Sequence, residues 1–401
     1  MKMAKKKKKP ARFGFLSSNM GYYDFDLVAV VLLLTCFGLV MLYSTSAYVA
    51  EKDVGNDMLY FQKQAMIGGA SIFLALAVSA SRKFDYHILY YISFGIFILA
   101  LVLMGMVKYT PLGVTINGAR RWLQIGPIQF QPSEIAKIAA VTYMPCLVMK
   151  LGRKIRTFKG MAQLFAVGLA LGLGAYIWTE NLSTGLIIGA ITVLMIFMAY
   201  PKPKWFLIAA VVLAALFIGA RFGLQAMMAS GGNLSDSSFR INRVLVWLDP
   251  EQYSQNGGYQ IMQALYAIGS GGFFGKGLGN SVQKLGPVPE AQNDMIFAIV
   301  CEELGVFGGL IILALFGYLL YRLFFIAQNA PDFYGSMMVS GIFFHISLQV
   351  ILNVCVVLNW IPTTGITLPF ISYGGTSILF LMIEMGIALS VSRQIKFQGQ
   401  A

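Results

Sequence analysis

The chain has 401 residues, of which 57% are hydrophobic and only 12% are charged. Soluble domains carry about 25% charged residues, and a water-soluble protein this apolar would expose large adhesive patches. The composition therefore excludes an ordinary soluble protein and predicts an integral membrane protein, whose apolar surface is solvated by lipid.

Ten apolar runs are each long enough to cross a bilayer as a helix, which takes about 20 residues. The sixth and seventh runs are divided only by residues 201–204, Pro-Lys-Pro-Lys, where two prolines stop a helix and two lysines cannot lie in lipid. We predict an all-α polytopic membrane protein that forms a single membrane domain over residues 1–401. The predicted spans are 26–47, 62–80, 88–107, 132–150, 161–178, 184–200, 204–221, 295–322, 334–358 and 368–391.

The lysines and arginines predict the orientation of the chain. If the basic tail, residues 1–25, is cytoplasmic, most of the 30 lysines and arginines fall on the cytoplasmic side, as the positive-inside rule requires. An even number of spans then places both termini in the cytoplasm, and this topology explains the net charge of +13. Nucleic-acid binding is the alternative interpretation of the Lys5–Lys9 run. A basic run directly before a span favours anionic lipid, so we expect no nucleic-acid partner.

Two predicted outer loops, residues 108–131 and residues 222–294, are too long to be simple connectors. The second is predicted to be a large, partly helical extracellular loop between the seventh and eighth spans, because it contains apolar stretches such as Ile261–Ile268. Its glycine-rich run, residues 269–279, could cradle a phosphate, but it lacks the Lys-Ser/Thr end of a Walker motif. Tight turns are the favoured interpretation of this run.

The sequence contains two histidines, and neither His87 nor His345 is predicted to reach the large outer loop. An acid or base there would therefore be a carboxylate or, as a less favoured choice, a lysine or tyrosine. Asp294 stands at the mouth of the eighth span, where desolvation would raise the pKa of its carboxyl group toward a useful value. A helix cap is the structural alternative for an aspartate at this position.

Charged residues inside predicted spans are costly, so they mark either a functional site or structural pairing between helices; both interpretations stay open. Glu134 and Lys137 are three residues apart at the start of the fourth span and are predicted to form an ion pair. Glu302 lies about 80° around the eighth helix from the aspartate, close enough to share its cavity, whereas Glu303 lies on the opposite side. Glu384 is a further carboxylate inside the last span.

Clustered guanidinium groups are also predicted on the outer face. They lie at Arg120 and Arg121, next to Trp122, and at Arg240 and Arg243. Guanidinium groups suit a diphosphate, and headgroup anchoring beside an interfacial tryptophan is the alternative. The four cysteines all fall in predicted spans and show neither metal-ligand spacing nor a disulfide framework.

Several motifs occur in the order in which a known protein family carries them. They are Tyr43-Ser44-Thr45-Ser46, Gly118–Leu123, Gln131–Lys137, Gly258-Tyr259-Gln260 with Gln263, Gly269–Gly272, Gly277–Ser281, Pro289–Asp294, Ile296–Ala298, Glu302–Gly305, Pro362–Gly365 and Leu368–Gly375. Over almost its entire length the chain resembles the SEDS proteins (shape, elongation, division, sporulation), the FtsW/RodA/SpoVE group. The run 279–284 is more similar to FtsW or SpoVE members than to RodA members.

The resemblance implies one SEDS-type domain with ten spans in the bacterial cytoplasmic membrane. It also implies a glycosyltransferase that polymerises lipid II, the lipid-linked disaccharide-peptide precursor of peptidoglycan, at the outer face of that membrane. Transfer would invert the anomeric carbon and release undecaprenyl diphosphate. The implied partners are a class B penicillin-binding transpeptidase and other cell-division proteins. A divalent cation, Mg²⁺ or Mn²⁺, is expected to neutralise the leaving group, and no organic cofactor is expected.

The resemblance also implies roles for individual residues. Asp294 matches the family's essential aspartate and would be the general base on the acceptor hydroxyl; it is also the candidate metal ligand. Glu134 and Lys137 match the family's functional pair in the fourth span, and Lys137 with Arg121 or Arg243 would hold the diphosphate. The further candidate substrate-binding residues are Trp122, Lys276, Glu290 and Glu302.

The sequence departs from the family pattern at two motifs. Where the aspartate motif often reads Pro-Glu-x-His-Thr-Asp-Phe, this chain has Gln292-Asn293-Asp294-Met295, but it keeps the aspartate and the following Ile-Phe. After the fifth span Asn181 takes the place of an aspartate, and only Glu180 could restore the charge. Three alternatives remain: a lipid II flippase, whose key groups would lie near mid-membrane, a RodA-type elongation paralogue, and a scaffold without activity.

Overall fold

The computed structural model describes residues 22–81, 85–116, 118–126, 128–201, 204–229, 239–253 and 257–396. Most of the predicted basic tail, and the Lys202-Pro203 pair between the sixth and seventh spans, lie outside these residues. The helices are α1 (Phe25–Val54), α2 (Leu59–Ala80), α3 (His87–Tyr109), α4 (Pro132–Leu151), α5 (Phe158–Thr179), α6 (Leu182–Ala199), α7 (Lys204–Ala229), α8 (Phe239–Leu248), α9 (Gly258–Gly271), α10 (Ile296–Asn329), α11 (Phe333–Val357) and α12 (Ser377–Ser392).

The predicted polytopic helical architecture is confirmed. Nine helices in the described part of the chain, α1 to α7, α10 and α11, are long and apolar enough to cross a membrane, and α12 is a shorter apolar helix. The tenth span is predicted to begin at residue 368, but its helix begins only at Ser377. The residues before it are not helical, because Pro369 has no N–H to donate and both Phe370 and Gly375 have a positive φ, of 62° and 48°.

α4 occupies the centre of the bundle, where it packs against α3, α5, α6, α11 and α12. Its small residues Ala136, Ala139 and Ala140 are fully buried and let the neighbouring helices approach closely. α7 lies at the periphery instead, since none of its most apolar stretch is buried. It touches α8 through the rings of Phe217 and Trp247, whose centroids are 5.6 Å apart. The start of α4 is therefore enclosed by protein, whereas the apolar surface of α7 is exposed.

A three-stranded antiparallel sheet, which the all-α prediction omits, lies between α3 and α4. Its strands, in spatial order, are β1 (Gly113–Ile116), β2 (Ala119–Ile125) and β3 (Ile128–Phe130). The turns between them use a positive φ at Gly118 (75°) and Gly126 (61°). Leu123 of β2 is fully buried and anchors the sheet. As a result Arg121 and Trp122 are fixed on a strand rather than on a loose loop.

α10 is interrupted at Gly305, whose φ of 72° and ψ of −177° are not helical. The amides of Val306 and Phe307 donate to the carbonyl oxygens of Gly272 (3.0 Å) and Phe273 (3.1 Å) instead of continuing the helix. The glycine-rich run 269–279 thus lies against the break. A positive φ in this run occurs at Gly272, Gly275, Gly277 and Gly279, which confirms tight turns, its favoured interpretation.

Candidate active site

Asp294 lies just before α10, at the end of the bundle that also carries the sheet; we call this the Asp294 end. Met295, and not Asp294, occupies the cap position of α10, and it makes no side-chain cap hydrogen bond, so the helix-cap alternative is wrong. The side chain of Asp294 is partly buried. None of the described side chains donates a hydrogen bond to its carboxylate. The carboxylate therefore has lone pairs available to accept a proton.

Burial raises the pKa of the Asp294 carboxyl group to about 6. The negative charge of Glu290 contributes to this rise, whereas the backbone N–H of Asp294 and the positive charge of Arg243 oppose it. A carboxyl group with this pKa is mostly ionised at neutral pH, yet it is a stronger base than an ordinary aspartate. The electrostatics therefore suit general-base chemistry.

The backbone around Asp294 is held on two sides. The side-chain amide of Asn353, in α11, donates to the carbonyl oxygen of Asp294 over 2.8 Å. The N–H of Tyr373 donates to the carbonyl oxygen of Gln292 over 2.9 Å. Asn293 also hydrogen-bonds the carboxylate of Glu290, which keeps that second acid beside the first. The segment is thus fixed in place although it belongs to no helix or strand.

Two arginines from different elements lie near each other, and one of them, Arg243, is also near Asp294. Arg243, in α8, donates to the carbonyl oxygen of Thr363 over 3.2 Å, and Arg121, in β2, donates to the carbonyl oxygen of Glu180 over 3.4 Å. Burial lowers the pKa of Arg121, and the positive charge of Arg243 lowers it further, so the two guanidinium groups lie close enough to repel each other. An anion between them would relieve this repulsion.

The sequence predicted part of this cluster. The structure brings together four of the candidate residues, which are Asp294, Glu290, Arg121 and Arg243. The Nε atom of Arg121 is buried and has no hydrogen-bond partner among the described residues, which leaves a donor for a ligand. Trp122, its neighbour in β2, is partly buried. The side chain of Arg240 lies outside the described part of the chain.

Glu134 and Lys137 form the predicted ion pair in the first turns of α4, with Nζ 2.9 Å from Oε1. Both side chains are buried, at 7% and 2% exposure. Pro132 occupies the first helical turn, where its missing N–H costs nothing. The pair is therefore a fixed, neutral unit inside the bundle, and its role in substrate binding stays a prediction.

Lys276 and Glu302, which are both candidate substrate-binding residues, bind each other. Nζ of Lys276 lies 2.7 Å from Oε1 of Glu302, which is fully buried. Ser281 and the N–H of Val282 also donate to this carboxylate. Glu302 is thus surrounded by Lys276, Ser281 and Val282. No described contact links it to Asp294, and the cavity shared by the two stays a prediction. Lys276 keeps an exposed face.

A second lysine–glutamate pair, which the sequence analysis did not predict, lies next to the first. Nζ of Lys284 lies 2.7 Å from Oε1 of the fully buried Glu303. Ser44 of α1 donates to the same carboxylate over 2.7 Å. The motif 279–284 is the signal that could have indicated Lys284. The two ion pairs hold the glycine-rich run and the residues that follow it, up to Lys284, against α10 just before its break at Gly305.

The departure after the fifth span has a structural explanation. Asn181 is the N-cap of α6, and its side chain accepts a hydrogen bond from the N–H of Thr184 over 3.0 Å. The carboxylate of Glu180 instead accepts from the N–H of Arg120 over 3.2 Å. Glu180 therefore carries the negative charge of this turn, and it lies beside the guanidinium group of Arg121.

One titratable pair lies deep in the bundle, away from this cluster. Nδ1 of His345, in α11, is 2.8 Å from Oε2 of Glu384, in α12, and both side chains are buried. This bears out structural pairing between helices for Glu384. Within the described ranges no group of three His, Cys, Asp or Glu side chains could hold a metal ion by itself.

The chain belongs to the FtsW/RodA/SpoVE family. The model of that family, described as "Cell cycle protein", matches residues 25–397. The chain is accordingly a multi-pass membrane protein, in agreement with its apolar helices.

Similar proteins cover nearly the whole chain. Stage V sporulation protein E of Bacillus subtilis is 35% identical over 93% of this chain and 98% of its own length. The probable peptidoglycan glycosyltransferase FtsW of Trichlorobacter lovleyi is 33% identical over 94% of this chain and 95% of its own length.

Two solved structures share the fold. A chain from a structure on the coordination of polymerization and crosslinking by a peptidoglycan synthase complex superposes with a TM-score of 0.72 at 28% identity, covering 92% of this chain and 98% of its own. The rod shape determining protein RodA of Thermus thermophilus gives a TM-score of 0.65 at 25% identity, covering 94% of this chain and 98% of its own.

Proposed function

We propose that this chain is a peptidoglycan glycosyltransferase that polymerises lipid II into glycan strands. The observation that carries the proposal is a partly buried carboxylate, Asp294, with a pKa of about 6, near the guanidinium group of Arg243, which in turn lies near that of Arg121. Relatives about a third identical over nearly the whole chain are named probable peptidoglycan glycosyltransferases, which supports the same activity here.

The reaction needs one base and one anion site. Asp294 takes the proton from the acceptor sugar hydroxyl, whose oxygen attacks the anomeric carbon of the donor. The bond from that carbon to the diphosphate oxygen breaks with inversion, and undecaprenyl diphosphate leaves. Arg121 and Arg243 stabilise the negative charge that develops on the leaving group. No covalent enzyme intermediate is required, which agrees with a cluster of carboxylates and guanidinium groups.

Other candidate residues support this site. The ammonium group of Lys137, held by Glu134 in the first turns of α4, binds the diphosphate in this proposal, and Trp122 follows Arg121 in β2. Glu290 adjusts the pKa of Asp294. Lys276 and Glu302 act by holding the glycine-rich segment against α10, and the exposed face of Lys276 is available to substrate.

The site offers a divalent cation two carboxylate ligands. Mg²⁺ is usually bound through one or two carboxylates together with substrate phosphates, rather than by a protein cage. Asp294 and Glu290 are neighbouring carboxylates of that kind, although the described residues offer no third ligand. When bound, the cation would neutralise charge on the diphosphate.

The orientation follows from charge. The end opposite Asp294 carries Arg153, Lys154 and Arg156, in the short turn between α4 and α5. Positive residues of this kind mark the cytoplasmic side. We therefore assign the Asp294 end to the outer face of the cytoplasmic membrane and both termini to the cytoplasm, so that the isoprenoid tail of lipid II stays in the bilayer during transfer.

The partner we propose is a class B penicillin-binding transpeptidase, together with other cell-division proteins. The similarity to a chain of a peptidoglycan synthase complex supports a penicillin-binding partner. Several relatives are named FtsW, which supports a role in division, and a RodA-type role in elongation is the alternative. A fluorescent fusion decides between them: septal rings support division, and patches along the side wall support elongation.

Purified chain in complex with a class B penicillin-binding protein, supplied with lipid II, tests the activity. We expect glycan polymer from the wild type and none from Asp294→Asn, which keeps the shape of the side chain but not its basicity. Asp57→Asn is the matched control, because Asp57 is partly exposed and only accepts a hydrogen bond from Tyr43. No polymer from the wild type, or normal polymer from Asp294→Asn, would contradict the proposal.

The buried His345–Glu384 pair favours a second candidate, a lipid II flippase, because transporters place titratable groups near mid-membrane. Liposomes with lipid II in the inner leaflet distinguish the two functions. Translocation that survives Asp294→Asn but is lost in Glu384→Gln would support the flippase. Polymerisation without translocation would exclude it.

A further inference from the structure

Three polar side chains form a stripe along α11. His345, Gln349 and Asn353 are spaced four residues apart, so they lie on one face of the helix. All three are buried, with 2%, 5% and 0% exposure. A helix that faces lipid or an apolar core would carry apolar residues at these positions, because each buried polar group needs a partner.

The partners of this stripe lie mainly in residues 358–376, the non-helical segment between α11 and α12. Asn353 donates to the carbonyl oxygen of Ile366 over 2.8 Å, and Gln349 donates to the carbonyl oxygen of Thr367 over 3.5 Å. Several residues of the segment are buried, including Ile366. Side-chain amides are therefore needed to satisfy backbone carbonyl groups that no helix satisfies.

Asn353 has a second role that Gln349 does not share. Its Nδ2 atom also donates to the carbonyl oxygen of Asp294 over 2.8 Å. One amide nitrogen thus uses both of its N–H groups and joins the residue that carries the candidate base to the 358–376 segment. Aspartate has nearly the same shape but only acceptor oxygens, so it could make neither bond.

The same segment also holds the arginine side of the site. Arg243 donates to the carbonyl oxygen of Thr363 over 3.2 Å, three residues before the carbonyl that Asn353 binds. The N–H of Tyr373, nearer α12, donates to Gln292 over 2.9 Å. Arg243 and the backbone of Asp294 are therefore both held by the 358–376 segment, and Asn353 is the side chain that links Asp294 to it.

We propose that Asn353 is a positioning residue that sets the place of the Asp294 carboxylate relative to Arg243. The proposal rests on the proposed transferase function for its kinetic consequence, but its geometric content does not depend on that function. A base displaced by about 1 Å can lose about 100-fold in rate. Loss of Asn353 should therefore lower kcat while lipid II still binds.

The experiment compares Asn353→Asp and Asn353→Ala with wild type in complex with the penicillin-binding partner. We expect kcat for lipid II polymerisation to fall about 10- to 100-fold, with KM within about 2-fold. Asn329→Ala is the control, since Asn329 donates only to Phe325 at the far end of α10.

Hydrogen exchange of residues 290–298 provides a readout without activity. Faster exchange there in both Asn353 variants, and wild-type exchange in Asn329→Ala, supports positioning. If wild type makes no polymer while exchange still responds, the transferase function fails and the positioning stands. If the folded variants keep the kcat and the exchange of wild type, positioning is wrong. A fall in rate that only follows the fraction of folded protein, with unchanged exchange of residues 290–298, overturns it as well.

Discussion

At the scale of single residues, Asp294 is governed by opposing electrostatic effects. Burial and Glu290 favour the protonated acid, whereas Arg243 favours the carboxylate. The result is a pKa of about 6, which leaves the group ionised at neutral pH but basic enough to receive a proton from a sugar hydroxyl. Small changes of charge near Asp294 should therefore be visible in the pH dependence of the reaction.

The first prediction concerns that pH dependence. In the proposed mechanism the deprotonated form of Asp294 is the active one, so kcat/KM should fall as pH drops through about 6. Glu290→Gln removes a charge that raises the pKa and should move the acid limb to lower pH. Arg243→Ala removes a charge that lowers it and should move the limb to higher pH. Profiles of kcat/KM measured between about pH 5 and about pH 8 test both shifts. Shifts in the same direction for the two variants would contradict this explanation.

The second prediction concerns the arginine pair. A hydrogen bond between charged groups contributes about 1.5–3 kcal/mol, so Arg121→Ala should lower kcat/KM for lipid II about 10- to 100-fold. Arg156→Ala, an exposed arginine at the opposite end, should leave it unchanged. Steady-state kinetics measure both. Equal losses in the two variants would mean that the effect is general electrostatics and not a diphosphate site.

At the scale of elements, the break in α10 and the glycine-rich run depend on each other. A Cβ atom on Gly305 would lie 2.2 Å from the carbonyl oxygen of Phe273, and one on Gly275 would lie 2.2 Å from that of Glu303. The atoms that an added Cβ would meet belong to the backbone, so the clash could not be relieved by the movement of a side chain. The lysine–glutamate pairs then close the contact from both sides.

The third prediction follows from this contact. Gly305→Ala adds a Cβ at a φ of 72°, and against a backbone oxygen, so it should destabilise the protein by about 2 kcal/mol or more. Gly317→Ala is the matched control in the same helix, because nothing lies within 4 Å of its Cβ position. Thermal unfolding in detergent should show a lower midpoint for Gly305→Ala alone. An unchanged midpoint would show that the segment does not bind the α10 break as described.

The fourth prediction concerns the buried pair of Lys284 and Glu303. Lys284→Met leaves a buried carboxylate without its cation, which costs about 3–5 kcal/mol. The double variant Lys284→Met with Glu303→Leu should recover much of that loss, since a buried ion pair can often be replaced by apolar residues. Thermal midpoints of the single and double variants test this coupling. A double variant as unstable as the single one would contradict it.

Several elements were predictable from sequence because their signal is local. The ten spans are continuous apolar runs, and the Glu134–Lys137 pair needs only helical spacing. The break at Gly305 was not predictable, because the compensating hydrogen bonds come from Gly272 and Phe273, more than thirty residues earlier. The Lys284–Glu303 pair likewise joins residues 19 apart through a turn whose path the sequence does not specify.

The candidate site was predictable in its members but not in its arrangement. The motifs identified Asp294 and Arg121, and the clustered arginines identified Arg243, whereas no sequence signal singled out Asn353. Its importance depends on two carbonyl groups that meet only in the folded chain. The pairing of Lys276 with Glu302 was missed for the same reason, since helical angles place residues on one helix but not on the segment that covers it.

At the scale of the whole molecule, the two ends of the bundle differ in chemistry. The Asp294 end carries the candidate base, Asp294, just before α10. It also carries two guanidinium groups, that of Arg121 in the small sheet and that of Arg243 in α8. The opposite end carries a basic turn between α4 and α5. The membrane-spanning helices hold buried ion pairs between these ends, so the apolar bundle also acts as the rigid support of the site.

The most direct test of this account is polymerisation of lipid II by the purified complex across pH. We predict that the wild type makes glycan polymer with an acid limb near about pH 6, and that Asp294→Asn makes none at any pH although it folds and binds lipid II. Polymer from Asp294→Asn with the wild-type rate and pH profile would contradict the assignment of Asp294 as the base.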